Sequence, residues 1–541
     1  GTVGIGAGVA RGLRDRHRTM TAAEAGVRRG GWRALRVVAY VLEILAVLSI
    51  LRLGAIFRER VAEGWVFAGS DTYGYLALGE ELREHHRYAL GPQAPLHHSR
   101  LPLYPMFLSA VKGHARADMS GGEGWDRIKR AQRNIEVWLA GPLVYLAARS
   151  MARRMGWGAI SGAAGAVALL CTMLCPFLVL FAATALTECL ATALTVATIA
   201  PLLWGRSRPR LWYPVAALFL ALSALTRPDG LLLAVAFVPA LLLLRSPGNV
   251  WRERLIVAGM CAYAFVLVYG LWPARNLMRF GRPYFVGTRV DRFTNPLPNY
   301  TGYWNWLRTW GEDQTNQTGA ATCFFNPPCP ASIDHYPPMA FAGPDPAGER
   351  ATVEALLARR MVEGLSPGVS AGFQKLADAR RRRDRYAFEI GLPLSRAYHM
   401  WVSTHDEVLQ NPIIPYPAVI GRWRPQFERH SRWLFWATLA GGLFLLLLPR
   451  GRGDALVLLL PIVARSLILP YALYSMSRYT NEVLPLCFIL IGVALTSPLA
   501  LLQALVRWVL ARVRSPLGPP VHGGDSDGAK GELLSKDGRG I

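Results

Sequence analysis

Two carboxylates and a set of arginines stand where long apolar runs of this chain begin or end. Asp71 lies in Gly69-Ser70-Asp71-Thr72-Tyr73-Gly74-Tyr75, past an apolar run that closes at Phe57. Glu188 ends Thr184-Ala185-Leu186-Thr187-Glu188, just ahead of another apolar run. Arg100, Arg227, Arg275 and Arg478 recur at comparable boundaries. A carboxylate can accept a proton from an attacking hydroxyl or amine. A fixed guanidinium can hold an oxyanion through two parallel N–H donors. The chemistry this set could perform is group transfer, with a base for the acceptor and cations for an anionic leaving group. Plainer roles compete. Asp71 could cap the helix that follows it, Glu188 could pair with an interfacial arginine, and Arg478 could anchor lipid headgroups.

The elements that position these residues are apolar helices. The chain has 541 residues, 52% of them hydrophobic, and several apolar runs exceed the roughly 18 residues that mark a membrane span. The formal charge of +24 would suggest nucleic acid in a soluble protein, but the arginines border the spans on alternate sides, as the positive-inside bias requires. No stretch is patterned for bases, so no nucleic-acid partner is expected. Of the seven cysteines, five sit in apolar segments as small hydrophobes. Cys323 and Cys329 form one bridge only if their loop faces an oxidising compartment. The histidine pairs His85-His86 and His97-His98 lack a third and fourth ligand at metal-binding spacing and read as loop histidines.

Placing inner turns at arginines gives about ten spans: 35–57, 131–151, 157–181, 185–204, 211–225, 230–244, 255–272, 433–448, 455–473 and one from 483. The organisation that follows is a basic cytoplasmic arm (1–34), a transmembrane core (35–272) with an outer loop at 58–130, a large outer loop domain (273–432), C-terminal spans (433–508) and a disordered cytoplasmic tail (509–541). Met20 leaves residues 1–19 as a stretch upstream of an alternative start, and the first span reads as an uncleaved anchor. Residues 73–88 read as an interfacial helix, and 101–111, apolar but too short to cross, as interfacial or re-entrant. In this arrangement Asp71, Glu188 and all four arginines fall on the same, outer side. The fold expected is an all-α polytopic membrane protein with interfacial helices in its first outer loop.

Several short motifs, in order, resemble one family: Asp71 in the first outer loop, Leu101-Pro102-Leu103-Tyr104-Pro105, Thr187-Glu188, Trp272-Pro273-Ala274-Arg275-Asn276 and Ser477-Arg478-Tyr479. The family is the C-type-fold glycosyltransferases that use polyprenyl-phosphate sugars, near the aminoarabinose transferases and protein O-mannosyltransferases. The resemblance implies Asp71 and Glu188 as catalytic residues. It implies Arg100, Arg275, Arg478 and Tyr479 as donor-phosphate ligands, with Arg227, Asn276 and Tyr104 as further candidates. It also implies a lipid-linked donor, a bilayer setting and a protein, glycolipid or polysaccharide acceptor, with the site on the periplasmic face of a bacterial inner membrane. The leaving group is a phosphate, already stable as an anion, so a base and fixed positive charge suffice; one direct displacement would invert the anomeric centre. The chain departs from the family's oligosaccharyltransferases in having no second acid beside Asp71, so no cofactor is assigned and a divalent cation stays open. A transporter or flippase of lipid-linked sugars, or a non-catalytic envelope assembly factor, are the alternatives. Transporters show internal repeats and midplane polar groups, and no repeat is visible here.

Overall fold

The computed structural model describes residues 37–63, 71–115, 122–244, 249–285, 301–312, 324, 333–343, 345–403, 418–472 and 476–514. Cys323, Cys329 and the sequon-like Asn299 and Asn316 lie outside these residues. Among the described residues the regular structure is helical, and extended backbone pairs only in an isolated bridge between Ala89 and Leu96. The chain divides into two units, residues 1–496 and 497–541, and the described part of the second is helical through Arg514.

The first unit opens with α1 (Val37–Ala62), whose 26 residues reach about 39 Å, more than a bilayer core requires. Two short helices follow, α2 (Thr72–His85) and α3 (Leu103–Lys112), close to the interfacial segments read from the sequence. Next come α4 (Glu123–Asn134), a π turn (Ile135–Ala140) and α5 (Gly141–Arg154). Helices α6 (Ser161–Leu174) and α7 (Pro176–Ala182) make a pair bent by 56°. Pro176 causes the bend: it drives Cys175 to an extended conformation, φ −63° and ψ 116°. Helices α8 (Glu188–Trp204) and α9 (Pro209–Thr226) are span-length. A 3₁₀ stretch (Pro228–Ala236) runs into α10 (Phe237–Leu242), and α11 (Val250–Tyr269) meets α12 (Leu271–Phe280) at a 43° bend.

By length and composition, five described helices can cross a membrane, or up to seven if each bent pair is one span. The remaining expected crossings are helical but interrupted. Residues 131–151 contain the π turn, residues 230–236 are 3₁₀ ahead of α10, and 433–447 lie in α17 (Ala418–Leu447), whose N-terminal half is charged. The last two long helices are α18 (Arg452–Ala472) and α20 (Leu484–Arg514), separated by the four-residue α19 (Arg478–Asn481).

Helix α8 is the hub. It is apolar and buried around nearly its whole circumference, as expected of a helix hydrophobic on every face. Its apolar core is shared with small side chains, Ala216 and Ala217 of the adjacent α9 and Ala164 and Ala168 of α6, and with Val457 and Leu458 of α18. Gly492 has no Cβ to collide with α6, where one would lie 2.8 Å from the Ala168 nitrogen. Because α8 is central, the residue that opens it, Glu188, is placed at the centre of one end of the bundle.

The other end is closed by charge. Asp454, fully buried at the start of α18, takes Arg154 at 2.7 Å and also pairs with Arg206, from the turns after α5 and α8. Residues expected at three inner turns therefore meet at one end, away from Glu188. Asp454→Asn leaves two guanidiniums facing each other without an anion. It should lower unfolding stability in micelles by about 3 kcal/mol, the lower end for a broken buried pair because both arginines stay a quarter exposed. A thermal or urea titration checks this.

A second apolar core lies in residues 301–383. Helices α13 (Thr301–Leu307), α14 (Pro346–Glu363) and α15 (Pro367–Arg383) enclose Tyr303, Trp306, Phe324, Tyr336 and Phe373. Asp345 and Ser366 cap α14 and α15 by accepting from Gly348 N and Val369 N. Arg396, buried in α16 (Leu392–Trp401), donates to Gly311 O at 2.7 Å and to Pro470 O at 3.4 Å, joining this region to the end of α18.

Candidate active site

Asp71 occupies the N-cap position of α2, but its side chain makes no capping bond. It turns instead to two arginines. Arg100 Nη2 donates to Oδ1 at 3.0 Å, and Arg478 Nη1 and Nη2 both donate to Oδ2 at 3.3 Å. The capping role is thus not what orients this carboxylate. Arg100 is held flat over the Tyr75 ring, 4.5 Å from its centroid. The missing Cβ of Gly74 makes room for it, since one there would sit 3.2 Å from the guanidinium.

Glu188 lies on the far side of Arg478, whose Nε is 3.7 Å from Glu188 Oε1. Arg227, in extended backbone just past α9, donates through Nη1 to Glu188 Oε1 at 2.8 Å and to Thr187 Oγ1 at 2.9 Å. The Nε of Arg227 faces two further acids, Glu482 Oε1 at 2.7 Å and Asp229 Oδ1 at 3.2 Å. Behind them Arg465 Nη2 meets Asp229 Oδ2 at 3.0 Å and Glu482 Oε2 at 2.8 Å, while Nη1 donates to Tyr479 O at 2.9 Å. Tyr479 lays its ring beside Arg227 and Arg478, 5.1 and 5.5 Å from their guanidinium carbons. The result is one chain of charge: Arg100, Asp71, Arg478, Glu188, Arg227, then Asp229 and Glu482 shared with Arg465. Burial works against the charge on Arg227 and Arg478, but the facing carboxylates prevail, so both hold their protons more firmly than a free guanidinium.

Six residues singled out in the sequence, Asp71, Glu188, Arg100, Arg227, Arg478 and Tyr479, meet in this network. Three lie elsewhere. Tyr104 is a supporting layer: it packs edge-on to Tyr75 at 5.2 Å and donates to Gln132 Oε1 at 2.8 Å. Gln132 in turn donates to Ala182 O and Thr184 O, fixing the turn that leads into Glu188. Arg275 stands over Tyr88, Trp272 and Phe280 and donates to His97 O at 3.0 Å. Asn276 accepts from Arg275 and donates to Tyr284 O. This aromatic group reaches the network through Tyr88, whose hydroxyl donates to the backbone of Arg100 and Leu101.

Asp229, Arg465 and Glu482 were not assigned from sequence. Arg465 carried a signal, an arginine well inside an apolar span, where charges are rare and paired. Glu482 lies in the short turn expected between the span at 455–473 and the one from 483.

The donor set does not suit a divalent cation. Asp71 and Glu188 form ion pairs with guanidiniums, and four arginines share the cluster. Among the described residues no group of three or more His, Cys, Asp and Glu could hold a metal. His97 packs on Tyr88, and His98 stacks on Tyr284 at 4.4 Å.

No family model matches the chain, and no curated protein matches it in sequence. Among solved structures it is similar to the oligosaccharyltransferase AglB from Archaeoglobus fulgidus in complex with an inhibitory peptide and a dolichol-phosphate. Identity there is 14%, the TM-score 0.44, and the match covers 87% of this chain and 52% of that one. The chain thus spans about half the length of the archaeal structures it matches. It is also similar to ArnT from Cupriavidus metallidurans bound to undecaprenyl phosphate, with 16% identity, a TM-score of 0.34 and coverage of 89% and 81%. The apo ArnT structure matches at 16% identity and a TM-score of 0.34, covering 84% and 78%.

Proposed function

We propose that the chain is a membrane glycosyltransferase that moves a sugar from a polyprenyl-phosphate donor to an acceptor by a single inverting displacement. The observation that carries this is the Asp71 carboxylate held between Arg100 and Arg478. An acid in that place occupies the position of an anion. An incoming phosphate competes for the same two guanidiniums, and Arg478 Nε, buried and without a hydrogen bond, offers a further donor. As the arginines turn to the phosphate, their ionic hold on Asp71 weakens and its carboxylate can accept the acceptor's proton. The guanidiniums then stabilise the phosphate as the glycosidic C–O bond breaks. Glu188 holds Arg478 and Arg227 in place from behind. The acceptor class, whether protein, glycolipid or polysaccharide, is not specified by this geometry.

Purified protein given a panel of radiolabelled polyprenyl-phosphate sugars and envelope acceptors should yield labelled acceptor. The flippase reading has one observation in its favour, the charged Arg465 within α18. Movement of the lipid-linked sugar across proteoliposomes with no transferred product would favour it.

The setting proposed is a bacterial inner membrane with the Asp71 cluster outside and the Asp454 cluster inside. Single cysteines at Ser207 and Arg450, both solvent-exposed, should resist an impermeant thiol reagent in intact cells lacking native cysteines. One at Val362 in the large loop, exposed at 88%, should label. Labelling at Ser207 reverses the orientation.

A further inference from the structure

The charged network is balanced. Among the described residues Arg100, Arg227, Arg465 and Arg478 face Asp71, Glu188, Asp229 and Glu482, four cations against four anions. A phosphate entering it brings at least one negative charge beyond the four that these described cations already meet. In a site this buried such an imbalance is costly, and it is relieved if one of the resident acids takes a proton.

Geometry singles out the acid. The Asp71 side chain is 19% exposed and keeps some contact with solvent. Glu188 has Arg227 at 2.8 Å, Arg478 beyond, and the Thr187 hydroxyl as donor. Asp229 and Glu482 share the same two arginines, Arg227 and Arg465, so they compete for the same positive charge. Glu482 is the more deeply buried, at 0% against 9%. Its Oε1, although 2.7 Å from Arg227 Nε, lacks the alignment of a hydrogen bond. The groups facing it are Arg227 and Asp229 from the segment after α9, Arg465 from α18 and Glu188 from α8.

We infer that Glu482 is the charge-compensating residue of the donor site: it takes up a proton when the donor phosphate binds, and so releases Arg227 from an anionic partner. Glu482 touches no substrate; it acts through Arg227 and, with Arg465, through the backbone of Tyr479 next to Arg478. The inference rests on the phosphate-binding role given above. Burial and charge act on the two acids in the same sense. Burial pushes Glu482 up to about 7, with Arg227 and Arg465 drawing it back. Against burial, the same two arginines hold Asp229 down to about 2. Two acids sharing one set of cations separate in this way.

The sign of the pH dependence follows. Below about pH 7 Glu482 already carries its proton, and binding needs no further uptake. Above it each pH unit costs about tenfold in affinity, one proton per phosphate bound. Calorimetric titration of the intact protein in micelles with a polyprenyl monophosphate, in buffers of different ionisation enthalpy, reads the proton count directly. At pH 8.5 the wild type should take up close to one proton. Glu482→Gln should take up none, bind about thirtyfold more tightly at that pH, and show a flat profile from pH 7.5 to 9. The phosphate's own titration, near pH 6, is common to both proteins and cancels in the difference. Equal proton uptake in the two proteins, or wild-type binding that does not change above pH 7, overturns the role of Glu482 while leaving phosphate binding intact. Absence of any binding by the wild type overturns the donor reading and this inference with it. Should Glu482→Gln fail to fold, the proton count and pH profile of the wild type alone decide.

Discussion

Asp71→Asn is expected to reduce sugar transfer by at least about 10²–10⁴-fold, the usual contribution of a positioned base. The amide keeps the size and planarity of the carboxylate, so α2 and its packing through Leu76 and Leu78 should persist. What changes is charge. Arg100 and Arg478 lose the anion between them, which leaves the cluster more positive and the phosphate easier to bind. The variant should therefore combine near-absent turnover with donor affinity equal to or better than wild type. That split separates a base from a structural acid, whose loss would weaken binding and folding together. Single-turnover transfer and equilibrium binding of the same lipid phosphate supply the two readings. Near-normal turnover in the variant would remove Asp71 from the chemistry.

Arg478→Ala should act in the opposite sense, on binding. The side chain is 9% exposed, with both terminal nitrogens on Asp71 and Glu188 close to Nε. Removing it takes away a desolvated cation from any phosphate held there, worth about 2–5 kcal/mol, or roughly 30- to several thousand-fold in donor affinity. Arg478→Lys keeps the charge but loses the fork that now spans Asp71 Oδ2 with both terminal nitrogens, so it should fall between the two. Isothermal titration with a polyprenyl phosphate gives the order. If the alanine variant binds as tightly as wild type, Arg478 is a headgroup anchor, and Arg100 and Arg227 are next to be tested.

The parts of this protein that periodicity and charge can encode were legible in the sequence. Apolar length announced α1, α8, α9 and α20, because a membrane span must satisfy its own backbone and shield it with apolar side chains. Arginine turns announced that Arg154 and Arg206 belong at one end of the bundle and Glu188 at the other. The convergence of Asp71, Glu188, Arg227 and Arg478 was readable only as a shared side, since residues 407 apart in sequence leave no local trace of contact. The 3₁₀ stretch at Pro228–Ala236 was not legible: its composition is that of any apolar helix, and only packing against α18 and α9 selects the tighter winding. Arg465 stands out as one charge in an apolar run, but its partners Asp229 and Glu482 come from two other segments, and no local pattern joins the three. Tyr104 and Arg275 show the reverse. A motif placed them near the site, and the side chains they reach put them in the layers that support it.

The order in which the charges appear along the chain has a consequence for biogenesis. Glu188, Arg227 and Asp229 enter the membrane with the first half of the protein, as two acids around one guanidinium. Arg465, Arg478 and Glu482, which complete the balance, are synthesised more than 230 residues after Asp229. Until they arrive, the ends of α8 and α9 carry an excess of negative charge that the bilayer disfavours. A chain that stalls before α18 is therefore marked as unfinished by its own electrostatics, and the last helices to insert both assemble the site and neutralise the defect that a quality-control protease would read.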